Sequence, residues 1–281
     1  MAKARIRVWN SEKIFHTLDK VKAKQYVGRE VRIEENYIRI ANNAFEKNVK
    51  IKEVILPKTL AIIGRGAFRG CHALQYIKIP NSVKIIEEEV FMDCIKLEKI
   101  VFPDKIDKIN GGIFKGCRAL KKVIISEQSK INEIDANAFN YCDNLETIRL
   151  PNVIKRIEFR TFYKTKSLKK IVLPEELEFI GEEAFYFSGI ESIQIPEKVR
   201  EIGDFAFKNC KFFTEVKIPR SVKRIGKEAF SGCRRMRTIE IPHDLEEIGD
   251  RIINLNTTVK CKKGSNIDGY CRKFGFKTKY I

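Results

Sequence analysis

Eight cysteines, three histidines and one glycine-rich run are the residues of this chain whose types could carry chemistry. Thiolates and imidazoles hold zinc, a Cys/His pair can form a nucleophile, and glycine-rich loops cradle phosphate. Their spacing argues against each. Cys71, Cys94, Cys117, Cys142, Cys210 and Cys233 recur at one point of a repeat, three residues after a phenylalanine. A cysteine column set by a repeat is a packing position, where a free thiol behaves as a small buried hydrophobe. Thr165 and Ser188 stand in the same column, so sulfur is not required there. No Cys-x-x-Cys pair occurs and His16, His72 and His243 are scattered, so no metal is expected. Cys261 and Cys271 fall in the tail, where a disulfide between them is the lesser reading. The run Gly64-Arg65-Gly66-Ala67-Phe68-Arg69-Gly70 lacks the ending and spacing of a nucleotide loop, and its glycines fit repeat slots. No Ser/His/Asp or Cys/His set escapes the same register. The expectation is a protein with no catalysis and no cofactor.

The elements behind these columns come from one repeat. Phe45, Phe68, Phe91, Phe114, Phe139, Phe162, Phe185, Phe207 and Phe230 are separated by 23, 23, 23, 25, 23, 23, 22 and 23 residues. All eight prolines, Pro57, Pro80, Pro103, Pro151, Pro174, Pro196, Pro219 and Pro242, share a second column, with Ser126 in its one vacancy. The unit reads Leu74-x-x-Ile77-x-Ile79-Pro80-x-x-Val83-x-x-Ile86, then Val90-Phe91-x-x-Cys94. Its Leu-x-x-Ile-x-Ile core alternates with period two, so Ile77 and Ile79 point inward from a short strand and Lys78 outward. Proline after the strand stops the ladder because it has no N–H. Gly64, Asn110, Asp135, Gly181, Gly203, Gly226 and Gly249 follow the next inward isoleucine, as N-caps of a short helical turn carrying the phenylalanine. Glu87 and Glu158 break that column, which predicts poorer capping of their turns.

A single coil buries too little to fold, so the coils must stack phenylalanine on phenylalanine around one continuous core. The expected organisation is an N-terminal cap over residues 1–27, about ten repeats of 22–25 residues over 28–253, and a C-terminal cap over 254–281. The first cap is expected to contain a helix over about 12–25, with Ser11 as N-cap and Ile14, Leu18 and Val21 on one stripe. Strands on one side and bulkier turns on the other imply a horseshoe with a parallel sheet on its concave face.

The motif Cys-x-x-Leu-x-x-Ile-x-Ile-Pro-x-x-Val-x-x-Ile-Gly-x-x-Ala-Phe resembles the BspA-like leucine-rich repeats of bacterial surface antigens, over about residues 28 to 281. The tail resembles that family's C-terminal cap at Lys263-Gly264-Ser265 and Tyr270-Cys271-Arg272-Lys273. The resemblance implies a solenoid that serves as a binding surface. Where general leucine-rich repeats carry Asn or Cys, this chain has Ser82, Lys105, Gln128 and Glu176, so no asparagine ladder is expected.

Charge and exposed side chains bear on partners. The net charge of +18 suits a polyanion such as nucleic acid or an acidic glycan, or else a lysine-rich solvated surface. Acidic residues interleave with basic ones throughout the repeats, which favours the latter. No run approaches the roughly 18 apolar residues of a membrane helix. Arg7, Asn10, Glu12 and Lys13 interrupt any signal-peptide core, so the expected location is cytoplasmic if Met1 is the native start, and the cell surface otherwise. On the strands, the outward columns place Tyr76, Lys78, Lys99, Val101, Lys122, Ile124, Arg149, Lys170 and Val172 on the concave face. Apolar residues ringed by cations fit an acidic, partly apolar protein partner, although β-branched residues suit strands whatever they face. Phe159, Tyr163, Phe179, Tyr186 and Phe187 lie outside the phenylalanine column, as filler in irregular coils or as a convex contact patch.

Overall fold

The computed structural model describes residues 16–281, which form a parallel β-solenoid of stacked coils. Coil one is counted as the coil carrying Phe68; a partial coil ending at Phe45 precedes it. A first ladder follows the Leu-x-x-Ile-x-Ile segments. Glu30–Arg32, Glu53–Ile55 and Tyr76–Lys78 pair in order, as do Lys99–Val101, Lys122–Ile124 and Thr147–Ile148. The ladder resumes at Glu215–Lys217 and continues through Thr238–Glu240, Thr258–Cys261 and Lys277–Tyr280. Each strand turns its middle residue inward, as in the exposed, buried, exposed pattern of Lys99–Val101. Coils six and seven are an exception: residues 170–172 and 192–194 are not strands.

A second parallel ladder was not foreseen. Two-residue strands such as Ile62–Ile63, Lys108–Ile109 and Glu201–Ile202 end on the second inward isoleucine of each coil. The glycine column extends this ladder instead of capping helices. Gly64, Gly181, Gly203, Gly226 and Gly249 each donate their N–H to the isoleucine carbonyl of the preceding coil, at 2.7–2.9 Å. A Cβ on Gly181 would lie 2.8 Å from the Ile157 carbonyl oxygen, and one on Gly249 would lie 2.2 Å from the Lys227 nitrogen. Close backbone approach selects glycine there. No helix follows; among the described residues the helices are Lys20–Ala23 and Asn266–Phe274. Of the two irregular members, Glu87 donates its N–H to the Ile63 carbonyl at 2.9 Å as the glycines do, and its carboxylate accepts the Arg65 N–H of the preceding coil, while Glu158 pairs with Arg156.

The turns are irregular but fully tied. Most contain two residues of positive φ, four apart, including Glu89 and Asp93, Arg160 and Lys164, and Glu183 and Phe187. That conformation costs a side-chain-bearing residue roughly 1–2 kcal/mol. It is held because the N–H of Glu89 reaches the Gly111 carbonyl at 3.1 Å, and that of Glu183 reaches Asp204 at 2.9 Å, one coil further on. Inside, the phenylalanine column stacks as expected. Successive rings from Phe45 to Phe230 lie 5.1–5.8 Å apart and within 13° of parallel. Each such pair adds about 0.5–1.5 kcal/mol beyond burial.

The ends differ from the sequence reading at one place. Of the expected helix over 12–25, Ser11 and Ile14 lie outside the described residues, His16–Leu18 is a strand, and the helix is the single turn Lys20–Ala23. Asp19 is its N-cap, accepting the N–H groups of Val21 and Lys22 at 2.9 Å. Leu18 is buried as a strand residue while Val21 is exposed, so no helical stripe covers the core. At the other end, Asn266–Phe274 is N-capped by Ser265 and ends on left-handed Gly275. Asp268, buried in this cap, accepts the Gly264 N–H, and that bond holds its carboxyl below the usual carboxylate range. The eight cysteines are free thiols.

Candidate functional site

The outward face of the first ladder carries the residues singled out in the sequence. Parallel register sets Lys99 directly across from Lys122 and Val101 across from Ile124, with Thr147 beyond Lys122. Tyr76 and Val101 are about half exposed, at 48% and 47%. Ile124 is half-buried, less accessible than its column implied. Val172 is 83% exposed, on a segment that is not a strand.

Some neighbouring charges pair from coil to coil: Lys121 with Glu98 at 3.2 Å, Lys169 with Glu191 at 3.7 Å, Arg224 with Glu201, Asp204 and Glu247 at 2.8–3.0 Å. The column running through Glu98, Lys121, Glu146, Lys169 and Glu191 alternates in sign. One position along, the column runs Lys99, Lys122, Thr147, Lys170, and none of these lysines, nor Lys78, has an ion pair among the described residues. Like charges directly opposite each other destabilise a sheet. Arg149 differs, being paired with Glu127. The alternation was legible in the sequence but requires columns to be compared with one another.

The extra aromatic residues pack as a band on the turns. Tyr163 stacks on Tyr186 at 4.9 Å and 4°, Tyr141 meets Tyr163 at 5.5 Å, and Phe187 meets Tyr186 at 5.2 Å. Arg160 lies over Phe159 and Tyr163, and Lys164 over Tyr141, at 4.6–5.1 Å. All are half-buried, and desolvation raises the Tyr163 hydroxyl above its ordinary pKa. Phe179 is not part of the band: it sits in the second ladder under Arg156, 3.9 Å from the guanidinium. Tyr141, which joins the band, was missed because it occupies a left-handed turn position.

The cysteine column proves structural. Cys71, Cys94, Cys117 and Cys142 each direct Sγ to the phenylalanine carbonyl of the preceding coil at 2.9–3.2 Å, as do Cys210 and Cys233. Burial pushes the Cys117 and Cys142 thiols far up, away from the nucleophilic thiolate. No group of three or more metal-ligating side chains occurs among the described residues. None of their helices is long and apolar enough to cross a membrane.

A family model described as the BspA type leucine rich repeat region matches in six copies, over residues 28–133 and 132–260. No curated protein matches the chain. Among solved structures, a leucine rich cell surface protein from Faecalibacterium prausnitzii is 22% identical, with 89% of this chain and 78% of that one covered and a TM-score of 0.45. A leucine-rich repeat protein from Bacteroides ovatus is also 22% identical, covering 90% and 92%, at a TM-score of 0.46. One from Eubacterium ventriosum is 20% identical, covering 83% and 74%, at 0.48.

Proposed function

The chain belongs to the BspA-type leucine-rich-repeat family, and from that premise we propose that it is a non-catalytic scaffold that binds an acidic, partly apolar protein partner. The partner docks on the outward face of the first ladder across coils three to six, which we place on the concave side. The lysine column supports this reading: Lys99 and Lys122 lie directly across from each other and repel in the free chain, Lys170 adds a cation two coils beyond Lys122, and an anionic partner would relieve that cost. Val101, Ile124 and Val172 give the same partner apolar contact. The test is affinity capture from native lysate at low and high salt, with and without nuclease, for the chain and for two double variants. Val101→Glu with Ile124→Glu, and Lys99→Glu with Lys122→Glu, should each weaken capture of the retained protein at least about tenfold, roughly 1.4 kcal/mol, while remaining folded by circular dichroism. Undiminished capture by both would refute the assignment of the surface.

A second reading has its own support. Residues 254–281 hold seven cations and one acid, Asp268, which is buried and paired with Arg272. Lys260 and Lys279 lie directly across from each other in the ladder. This cationic end fits a polyanion, and its affinity would fall steeply with salt. Salt-insensitive binding would remove it. A cytoplasmic scaffold and a surface one are separated by fractionating the native cells.

A further inference from the structure

The outward face of the first ladder changes sign along the stack. Its two outward columns carry Lys78, Lys99, Lys122, Arg149 and Lys170 over coils two to six and no acid there, then Glu215 and Glu240 in coils eight and nine. Among the described residues, Lys78, Lys99 and Glu215 make no ion pair, and Glu240 meets only Lys217, at 3.3 Å. The grooves follow the same division. One of about 530 Å³ is lined by Arg149 and Lys170 and no carboxylate, and one of about 400 Å³ holds Glu197, Glu215 and Glu240 beside Lys217 and Lys260. Bonds between neighbouring coils recur at the ladders and at the turns, which keeps the coil spacing similar on all sides and the face only gently bent.

A surface with a cationic half and an acidic half is complementary to itself turned end for end. We propose that this face pairs with a second copy of the chain about a two-fold axis parallel to the strands, passing between coils five and six. Such an axis keeps each residue in its column and sets coil three against coil eight and coil two against coil nine. Lys99 then faces Glu215 and Lys78 faces Glu240, each twice over. At the rim, one residue before the strands, Lys121 faces Glu191 and Glu146 faces Lys169. The register is specific: half a coil one way sets Lys122 against Lys170, and half a coil the other way sets Glu146 against Glu191. Val172 and Val101 bury against the stems of Arg149 and Lys217. The net charge of +18 opposes association, but the Debye length is about 8 Å in physiological salt, so the charges facing across the contact dominate. About ten coils at roughly 4.8 Å, over a band about 13 Å wide, bury about 1,100 Å² across two copies, the low end for a specific interface. The inference rests on the reading of this face as the partner surface and names a second copy as the partner whose acidic coils meet the lysines.

Sedimentation equilibrium of the whole chain in physiological salt tests it. The chain should show a monomer–dimer equilibrium with a Kd on the order of 10 µM, as suits an interface of this size. Lys78→Glu with Lys99→Glu, and Glu215→Lys with Glu240→Lys, should each weaken dimerisation at least about tenfold, because like charges then face one another. Mixed in equal amounts, the two variants should associate with each other at least as tightly as the parent chain does with itself, since every reversed pair is again opposite in sign. A parent chain that stays monomeric at about 100 µM overturns the proposal, tenfold above the expected Kd. So does a dimer that either reversal leaves intact, or a mixture that fails to associate while both variants remain folded by circular dichroism. A monomeric chain whose lysate capture still falls with Lys99→Glu, Lys122→Glu removes the second copy and leaves the face to another protein. Undiminished lysate capture by that variant and by Val101→Glu with Ile124→Glu removes the face itself.

Discussion

Coils two to five and coils six and seven share one repeat, one phenylalanine stack and the same bonds between turns, yet only the first set forms strands on the first ladder. Through both regions the rings keep the same spacing, 5.5 Å from Phe91 to Phe114 and 5.2 Å from Phe162 to Phe185. Cys71, Cys94, Cys117 and Cys142, in coils one to four, each bond back to the preceding coil. In coils five and six the Thr165 hydroxyl turns to its own Phe162 carbonyl at 2.9 Å, and Ser188 meets Cys210 of coil seven at 3.3 Å. The first ladder is lost one coil further on, over coils six and seven, where the spacing from Phe185 to Phe207 shortens to 22 residues. The aromatic stack and the bonds between turns run through both regions, whereas each ladder is interrupted, the second between Ile85–Ile86 and Lys108–Ile109 and between Glu133–Ile134 and Arg156–Ile157. Ladder pairing and the thiol bonds can therefore be given up locally without loss of the stack.

The widest separation between the two regions should appear in alkali. Burial raises the thiols of Cys94, Cys117 and Cys142, in coils two to four, above their ordinary 9.0. The folded chain then keeps protons that the unfolded chain releases. Stability is fully present below pH 9 and declines above it, by roughly 1.4 kcal/mol per pH unit per thiol. The Cys271 thiol, pushed up to about 12 chiefly by burial, adds to the decline between pH 9 and 12. Amide exchange at pH 10 should accelerate more in coils two to four than in coils five and six, which carry Thr165 and Ser188 instead; equal acceleration would erase the distinction.

Removing a ring comes next. Phe114→Ala should cost about 3–5 kcal/mol in denaturant titrations, and Phe185→Ala the same, because the stack treats the regions alike. A much smaller loss at Phe185 would show that the loss of the first ladder reaches the core. Cys117→Ala should cost about 1–2 kcal/mol, from a small cavity and a lost bond, while Thr165→Cys should be neutral or stabilising by up to about 1 kcal/mol. Destabilisation by Thr165→Cys would mean that coil five is not merely missing its thiol. Least of all, Glu127→Ala, which breaks an exposed pair with Arg149, should change the unfolding midpoint by no more than about 0.5 kcal/mol.

How much of this was legible depends on whether a feature repeats. The Leu-x-x-Ile-x-Ile strands, the stacked phenylalanines and the packing role of the cysteines follow from columns, and columns average out local accident. The second ladder was hidden because two residues are too few to show alternation, and glycine after the isoleucine reads equally as a cap or as a close approach. The N-terminal helix failed for a related reason: Leu18 and Val21 fit a helical stripe, but Asp19 between them caps a single turn. For the site, the columns named the outward lysines correctly. They could not show that Val172 lies on an unpaired segment, since hydrogen bonding between coils is a property of two coils, not of one residue.

The hydrogen bonds of both ladders, and those between the turns, run between counterpart residues of adjacent coils, and so lie along the axis on which the coils stack. A load applied to the two ends would therefore strain them in series, one interface after another, and not share the force among them. Each coil that peels away would release 23 residues, or roughly 75–80 Å of extended chain. The interface between coils two and three, where neither Tyr76–Lys78 pairs with Lys99–Val101 nor Ile85–Ile86 with Lys108–Ile109, should yield first, giving the molecule a built-in place to lengthen under tension while the rest of the spring stays wound.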